Sequence, residues 1–207
     1  MTEYRTVAQE ASAEFTERRS RFIGFARPVQ TEEEAISFIH TVKTQHWNAA
    51  HNVYAYSVRT GQIQRYSDDG EPQGTAGIPA LDVIVKSNVT DVAVVVTRYF
   101  GGILLGAGGL VRAYSHAVSI ALEQAKIITM RTCLMAEVRC DYNQYGRLSA
   151  LIPENGGVVD DTDFTDTVKI LFHMSDGDLD LFRQKLADAT CGRSEVLLHG
   201  EKYFKFL

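Results

Sequence analysis

The chain has 207 residues, of which 45% are hydrophobic and 23% are charged, and its formal net charge is -5. This length suits one large domain or two small ones, and the apolar content is sufficient for a globular core. A negative net charge does not favour sequence-specific binding to DNA. A local basic face nevertheless remains compatible with nucleic-acid binding.

The cysteines and the first residues bear on the compartment. Three cysteines, an odd number without a CxxC pair, indicate reduced thiols rather than a disulfide framework or a zinc site. The opening MTEYRTVAQE lacks the apolar core of a signal peptide, and no apolar run approaches the ~20 residues of a membrane-spanning helix. We therefore expect a cytoplasmic protein with no membrane partner.

The first part of the chain predicts strands around one well-marked helix. Residues 4–29 alternate between polar and apolar side chains, which predicts two or three short strands. A helix is predicted over about 32–46, because Thr31 and Glu34 form a capping box ahead of apolar residues at helical spacing. The segment 51–67, with a turn near its centre, predicts a β-hairpin.

Two further strands and a long helix are predicted next. The segments 80–87 and 91–100 are rich in β-branched residues and predict strands. The second is nearly continuous in such residues, which is typical of a central strand buried on both faces. An apolar stripe at helical spacing predicts a helix over about 109–126.

A different order of elements begins near residue 130. It is β-α-β-β-α-β, the ferredoxin-like arrangement, with a strand at 132–140, a helix at 143–155, strands at 156–164 and 166–174, a helix at 177–190 and one or two strands at 195–206. The sequence thus predicts an α+β protein of two domains, residues 1–130 and 131–207. Lys and Arg number 12 against 13 Asp and Glu in the first domain and 9 against 13 in the second, so the acidic excess lies in the second.

A glycine-rich segment lies between the predicted central strand and the helix that follows it. Glycines let backbone N–H groups approach a ligand, and a helix N-terminus attracts anions. Arg98 at the end of the strand and Arg112 in the first turn of the helix are suited to pair with a phosphate or carboxylate. No Walker sequence is present, and tight packing of the helix on the sheet explains the glycines equally well. The candidate ligand-binding glycines are Gly101, Gly102, Gly106, Gly108 and Gly109.

The segment SDDGEPQGTAGIP, residues 67–79, is acidic. Asp68, Asp69 and Glu71 could act as acid–base groups or as ligands of a hard metal ion. A solvated turn with capping carboxylates is the simpler explanation, and we favour it. The small residues that suit close approach of this backbone to a ligand or a neighbouring loop are Gly74 and Thr75.

Two further features carry candidate side chains. The run ERRSR at 17–21 places Arg19 and Arg21 on one face of a strand and Arg18 on the other. It could contact phosphates, although exposed strands also favour charged side chains. His51 could be a general base or a metal ligand, but a lone histidine is more often a structural hydrogen-bonding group.

Four segments together resemble the IMPACT family in its bacterial YigZ branch: SRFIG (20–24), AAHNVYAY (49–56), SDDGEPQGTAGIP (67–79) and VVVTRYFGGILLGAGGLVRAY (94–114). The resemblance implies an N-terminal α/β sandwich similar to the second domain of a small-subunit ribosomal protein. It also implies a ferredoxin-like C-terminal domain similar to domain V of elongation factor G. Eukaryotic members of the family modulate translational control.

The resemblance further implies that the acidic segment and the glycine-rich segment belong to one motif set. We expect their polar residues to line one groove. The expected members besides the glycines are Arg21, His51, Asp68, Asp69, Glu71, Thr75, Arg98, Tyr99 and Arg112.

The leading hypothesis is a translation-associated regulatory protein that binds RNA, the ribosome or a phosphate-bearing ligand through this groove. An enzyme or small-ligand binder that uses the acidic segment is one alternative, and a protein–protein interaction module is another. Binding is favoured over catalysis because no complete catalytic set is evident. We expect no cofactor and no bound metal ion, and we expect RNA, the ribosome or a protein as partner.

Overall fold

The computed structural model describes residues 3–206, which fall into two compact units, each with its own hydrophobic core. Residues 4–129 form the N-terminal unit, and Glu3 with residues 130–206 forms the C-terminal unit. Both units mix helices and strands, which confirms the predicted α+β class. None of the helices in the described part of the chain is both long and apolar enough to cross a membrane.

A five-stranded sheet forms the centre of the N-terminal unit. The elements in this part of the chain are β1 (Glu3–Val7), β2 (Ala11–Glu17), β3 (Ser20–Pro28), α1 (Glu32–Gln45), β4 (His51–Val58), β5 (Ile63–Ser67), α2 (Gly77–Lys86), β6 (Val92–Tyr99) and α3 (Ala107–Ala125). The strand order is β2-β3-β6-β4-β5, and every neighbouring pair is antiparallel.

The strand β6 lies in the middle of this sheet and is buried on both faces, as its β-branched run predicted. Val92, Val94 and Val96 share a core with residues of α2 and α3. Ala93 and Val95 share a second core with residues of α1. Because side chains alternate along a strand, one helix covers one face of the sheet and two helices cover the other.

The predicted helix over 32–46 and the predicted hairpin over 51–67 are both confirmed. Thr31 Oγ1 accepts a hydrogen bond from the backbone N–H of Glu34 at 3.2 Å, and Glu34 Oε2 accepts one from the N–H of Gln30 at 2.7 Å. The first contact satisfies an N–H group of the first turn of α1, and the second ties Glu34 back to the residue before the N-cap Thr31.

The predicted strand over 80–87 is wrong, because residues 77–86 form the helix α2. Pro79 lies in its first turn, where a missing N–H removes no helical hydrogen bond. The fully buried residues Ala80 and Ile84 repeat at a spacing of four. The β-branched composition favoured a strand locally, but the packing of this apolar face against the sheet overrides that preference.

The C-terminal part has the predicted β-α-β-β-α-β order. Its elements are β7 (Ile127–Cys140), α4 (Tyr142–Glu154), β8 (Val158–Phe164), β9 (Val168–Met174), α5 (Asp176–Thr190) and β10 (Val196–Phe206). The strand β9 pairs with β8 and β7, and β10 pairs with β7, which is the pairing of a ferredoxin-like domain. Phe172, Phe182 and Leu148 lie in its core.

The absence of a side chain at Gly24 allows α3 to lie against the sheet. An added Cβ would lie 2.3 Å from the carbonyl oxygen of Ala117 and 3.1 Å from the Cβ of Ala121. We expect Gly24→Ala to lower the free energy of unfolding by about 1–3 kcal/mol, because the backbone must shift. Urea unfolding followed by circular dichroism measures this change.

The matched control is Gly108→Ala in the first turn of α3. There the nearest atom to an added Cβ is Arg112 Nη1 at 3.7 Å, an ordinary contact. We expect this variant to be neutral or more stable by up to about 1 kcal/mol. Equal stability of the two variants would contradict the proposed packing of α3 on β3.

Candidate anion-binding site

The acidic loop, residues 67–79, uses its first carboxylate to cap α2. Asp68 Oδ1 accepts hydrogen bonds from the N–H groups of Ala76 at 3.1 Å and Gly77 at 2.8 Å, and Oδ2 accepts one from Gly74 at 2.8 Å. Ala76 at the N-cap position has no side chain for this task. Burial acts to raise the pKa of Asp68, but the three N–H donors outweigh it and lower the pKa below its ordinary value.

The second carboxylate, Asp69, ties the acidic loop to α1 and β4. Its Oδ1 accepts a hydrogen bond from Lys43 Nζ at 2.6 Å, and its Oδ2 accepts one from the N–H of Asn52 at 2.6 Å. The backbone at Asp69 has a φ of +46°, in the left-handed region. The ion pair with Lys43 and the hydrogen bond from the N–H of Asn52 hold the turn in that conformation.

The third carboxylate, Glu71, is buried, with 3% of its side chain exposed. Its Oε1 accepts hydrogen bonds from Arg98 Nη1 at 2.6 Å and from the Tyr114 hydroxyl at 2.7 Å. Burial and then the hydrogen bond to Glu71 raise the pKa of Tyr114 well above its usual range, so the phenol remains a donor. Glu71 therefore joins the acidic loop, the end of β6 and α3.

Arg98 is buried as deeply as its partner, with 6% of its side chain exposed. Its Nη2 lies 3.4 Å from Ser20 Oγ, and its guanidinium lies 5.4 Å from the ring centroids of Phe22 and Phe100. Nε is buried without a hydrogen-bond partner. The structure thus places Arg98 in an internal ion pair, not on a surface that an external phosphate reaches.

Two other candidate side chains, His51 at the start of β4 and Thr75 in the acidic loop, also contact the protein itself. His51 Nδ1 lies 2.9 Å from the carbonyl oxygen of Asp69, and its Nε2 lies 3.8 Å from Glu71 Oε2. The Thr75 hydroxyl donates to the carbonyl oxygen of Pro72 at 2.6 Å. Within residues 3–206, no three His, Cys, Asp or Glu side chains are grouped to hold a metal ion. Asp68 caps a helix, as the favoured explanation proposed, but the loop is not the solvated turn expected there, because Glu71 is buried and Asp69 is held in an ion pair.

Arg21 and Tyr99 do not join His51, Glu71 and Arg98. Tyr99 follows Arg98 in β6, so its side chain lies on the opposite face of the sheet. Tyr99 Oη lies 2.9 Å from His46 Nδ1, and Arg21 Nε donates to Glu14 Oε2 at 3.1 Å. The predicted single groove is therefore divided between the two faces of the sheet.

The glycine loop, residues 100–109, meets the turn between β2 and β3. A Cβ at Gly101 would lie 2.0 Å from the carbonyl oxygen of Arg19, so this position requires glycine for packing. Gly102 and Gly106 have φ values of +83° and +73°, in the left-handed region that favours glycine. At these two positions, glycine is present because it allows the backbone conformation of the loop.

The start of α3 has no capping side chain. The helix begins at Ala107, two residues before the predicted start, and its N-cap Gly106 makes no side-chain hydrogen bond. Gly108 and Gly109 lie in the first turn, which contains no acidic residue, and Arg112 lies in the second turn. Because the first N–H groups of a helix lack helical acceptors and carry partial positive charge, this end of α3 favours an anion.

A basic pocket of about 240 Å³ lies where the β2–β3 turn meets α3. Its lining residues are Phe15, Glu17, Arg18, Leu105, Gly109, Arg112, Ala113 and His116. Arg18 Nη1 donates to the carbonyl oxygen of Leu104 at 3.3 Å. Arg19 and Arg112 are exposed, and neither side chain has a hydrogen bond or an ion pair within residues 3–206.

Sequence reasoning missed Phe15, Glu17 and His116, because the basic pocket forms only when the β2–β3 hairpin packs on α3. It placed Arg18 and Arg19 on a strand, whereas they form a two-residue turn with φ values of +45° and +64°. Asn-Gly is the usual pair in such turns, so two arginines give no local signal. Residues other than glycine pay for this conformation, which makes the turn a strained feature.

The buried ion pair makes a strong prediction about stability. We expect Arg98→Ala to lower the free energy of unfolding by about 3–5 kcal/mol, because it leaves the Glu71 carboxylate buried without its charged partner. The matched control is Arg112→Ala, an exposed site where we expect a change within about 0.5 kcal/mol. Urea unfolding of both variants tests the difference, and similar stabilities would show that Arg98 has no such internal role.

The low pKa of Asp68 predicts a pH dependence. A carboxylate whose pKa is lowered by folding stabilises the protein above its unfolded pKa of about 3.9 and loses this contribution as pH falls through the folded value. We expect Asp68→Asn to have a lower free energy of unfolding than the wild type at pH 7. Below about pH 4, we expect this difference in free energy to become smaller. Unfolding curves at pH 7, 5 and 3 measure the difference in the free energy of unfolding between the two proteins. A difference that stays constant with pH would contradict the capping role of the Asp68 charge.

Comparison with known proteins relates these features to a family. The Impact N-terminal domain family matches residues 18–122, and a domain of unknown function, DUF1949, matches residues 138–193. IMPACT family member YvyE of Bacillus subtilis is 37% identical over 194 residues, covering 93% of this chain and 89% of that protein. IMPACT family member YigZ of Escherichia coli is 35% identical over 185 residues, covering 87% of this chain and 90% of that protein.

A solved structure described as a hypothetical protein has the same overall fold. It aligns with a TM-score of 0.61 and 32% identity, covering 95% of this chain and 97% of that chain. About half of the chain is also similar to eukaryotic proteins named Protein IMPACT homolog, of Dictyostelium discoideum, and Protein IMPACT, of Oryctolagus cuniculus. The extent and identity of these matches confirm the resemblance read from the sequence motifs, and the chain belongs to the IMPACT family.

Proposed function

We propose that this protein is a translation-associated regulator whose N-terminal unit binds RNA, free or in the ribosome, through phosphate contacts. The binding surface is formed by the β2–β3 turn and the start of α3. The observation that carries the proposal is that Arg18 and Arg112, from two different elements, both line one basic pocket beside the exposed Arg19 of the same turn. The relation to eukaryotic IMPACT proteins supports the link to translation.

The distribution of charge supports RNA binding despite the negative net charge. All three carboxylates of the acidic loop are bound to internal donors and do not oppose an anion outside. None of the three exposed arginines at the proposed surface forms an ion pair in the described part of the chain, and Arg19 and Arg112 also lack a side-chain hydrogen bond there. Cationic side chains without internal partners are available to displace counterions from phosphates.

The start of α3 adds backbone donors to these arginines. Its first turn lacks both a capping side chain and an acidic residue. The glycine loop next to it is exposed and apolar, with 79% of Leu104 and 50% of Phe100 exposed. Exposed apolar and aromatic side chains beside a basic surface suit unpaired bases better than a regular duplex.

The same carboxylate contacts weigh against an enzyme that uses the acidic loop. A general base or a metal ligand needs a free lone pair directed at a substrate. Asp68, Asp69 and Glu71 direct theirs at backbone N–H groups, Lys43 and Arg98. Binding is therefore the function that this geometry supports best.

The test compares the wild type with Arg18→Ala/Arg112→Ala in binding to single-stranded RNA and in co-sedimentation with ribosomes. We expect the variant to bind more weakly, and its plot of log affinity against log salt to be less steep by about 1.4, roughly 0.7 for each lost phosphate contact. Fluorescence anisotropy at several salt concentrations measures both quantities.

The matched control is Arg65→Ala, an exposed arginine on β5 at the opposite edge of the sheet. It should bind like the wild type. Equal loss in both variants would show a general charge effect, and unchanged binding by the double variant would contradict the proposal. Salt-independent sedimentation would instead favour a protein partner that contacts the exposed Leu104.

A further inference from the structure

We infer that the basic pocket holds one unstacked nucleotide, with its base inside the pocket and its phosphate on Arg18 and Arg112. The ligand class is a nucleoside monophosphate unit, either free or within single-stranded RNA. This inference rests on the proposed function and deepens it, because it states how the RNA is held at that surface.

The size of the pocket limits the ligand to one nucleotide. Its volume is about 240 Å³, just below the range of roughly 300–1,000 Å³ that is usual for pockets holding drug-sized ligands. A pocket of this size suits a ligand smaller than a typical drug, such as one nucleotide. A bare phosphate ion does not need the apolar lining that Phe15, Leu105 and Ala113 provide.

The lining of the pocket offers aromatic rings to a base. The ring of Phe15 is stacked on Phe22, with centroids 5.2 Å apart and planes at 10°. It meets His116 edge to face at 4.7 Å. One face of Phe15 is therefore fixed against the core, and the exposed His116 of α3 lies beside the ring. Fixed rings of this kind bind bases by stacking, largely without regard to sequence.

The charged groups of the pocket are two arginines and one carboxylate. Arg18 comes from the β2–β3 turn and Arg112 from the second turn of α3, so a phosphate between them has two cationic partners from different elements. Glu17 is the carboxylate in the lining. It repels a phosphate but accepts hydrogen bonds from a ribose hydroxyl or from an N–H group of a base. This arrangement favours the phosphate near the arginines and the nucleoside near Glu17.

The strained β2–β3 turn positions Arg18 at the pocket. Arg18 and Arg19 occupy the left-handed region at φ values of +45° and +64°, and Gly101 fits directly against the Arg19 carbonyl oxygen. Strained residues persist where surrounding structure determines them, and they occur often at ligand sites. The glycine loop thereby fixes the turn that presents Arg18 to the pocket.

The experiment measures binding of adenosine 5′-monophosphate, adenosine and inorganic phosphate by calorimetry, and of oligoadenylate by anisotropy. The variants are Phe15→Leu, which removes the ring but keeps an apolar side chain, and Phe15→Tyr, which keeps the ring. We expect the monophosphate to bind better than adenosine or phosphate. We expect Phe15→Leu to weaken its binding about 5- to 100-fold, the loss associated with one stacked base, while Phe15→Tyr retains it.

Circular dichroism shows whether each variant is folded. If Phe15→Leu does not fold, the exposed His116→Ala takes its place, with a weaker monophosphate affinity as the expected result. Wild-type affinity in a folded Phe15→Leu or His116→Ala variant would overturn the inference. Inorganic phosphate that binds as tightly as the monophosphate, or no monophosphate binding, would overturn it as well.

The two proposals fail in different ways. Oligoadenylate binding that depends on Arg18 and Arg112 but not on Phe15 would contradict the nucleotide pocket and still support the RNA-binding surface. Monophosphate binding that depends on Phe15, without any binding of oligoadenylate or ribosomes, would support a free nucleotide ligand and remove the RNA function.

Discussion

The buried ion pair between Glu71 and Arg98 is the contact on which the N-terminal unit depends. It joins the acidic loop to the end of β6, and the Tyr114 hydroxyl joins the same carboxylate to α3. Removing two charges from water is costly, so the pair is favourable only while both members and their other hydrogen bonds are present. The main effect of the Glu71–Arg98 pair is therefore to determine where the acidic loop and the glycine loop lie. Its net contribution to the free energy of folding is the smaller effect.

This internal use of charge explains how an acidic protein presents a basic surface. Asp68 binds the start of α2, Asp69 binds Lys43, and Glu71 binds Arg98. Two carboxylates of the acidic loop are thus paired with cations and the third with backbone N–H groups, whereas Arg19 and Arg112 remain exposed. A net charge counts both groups equally, although only the exposed ones contribute strongly to binding an anion from solution.

The sequence predicted the elements whose signals are local. The capping box at Thr31 and the β-branched run in β6 led to the observed helix and central strand. The strand predicted at 80–87 was wrong because the cap of α2 comes from Asp68, eight residues before Ala76, and its apolar face is defined by packing. Neither of these contacts can be predicted from local composition.

The candidate site was predictable only in part for the same reason. The pattern of strand, glycines and helix predicted an anion site at the glycine loop and Arg112, and this stays a prediction. The pocket itself brings Phe15 in β2 beside His116 in α3, a contact about one hundred residues apart in the chain. The motif resemblance grouped Tyr99 with Arg98, although alternation along the predicted strand already places the two side chains on opposite faces of the sheet.

The most direct test of this account is photo-crosslinking of single-stranded RNA to the wild-type protein, followed by identification of the crosslinked peptides. The account predicts crosslinks within residues 15–19 and 100–116, which contain the β2–β3 turn, the glycine loop and the start of α3. Crosslinks confined to residues 131–206, or to the face of the sheet covered by α1, would contradict it.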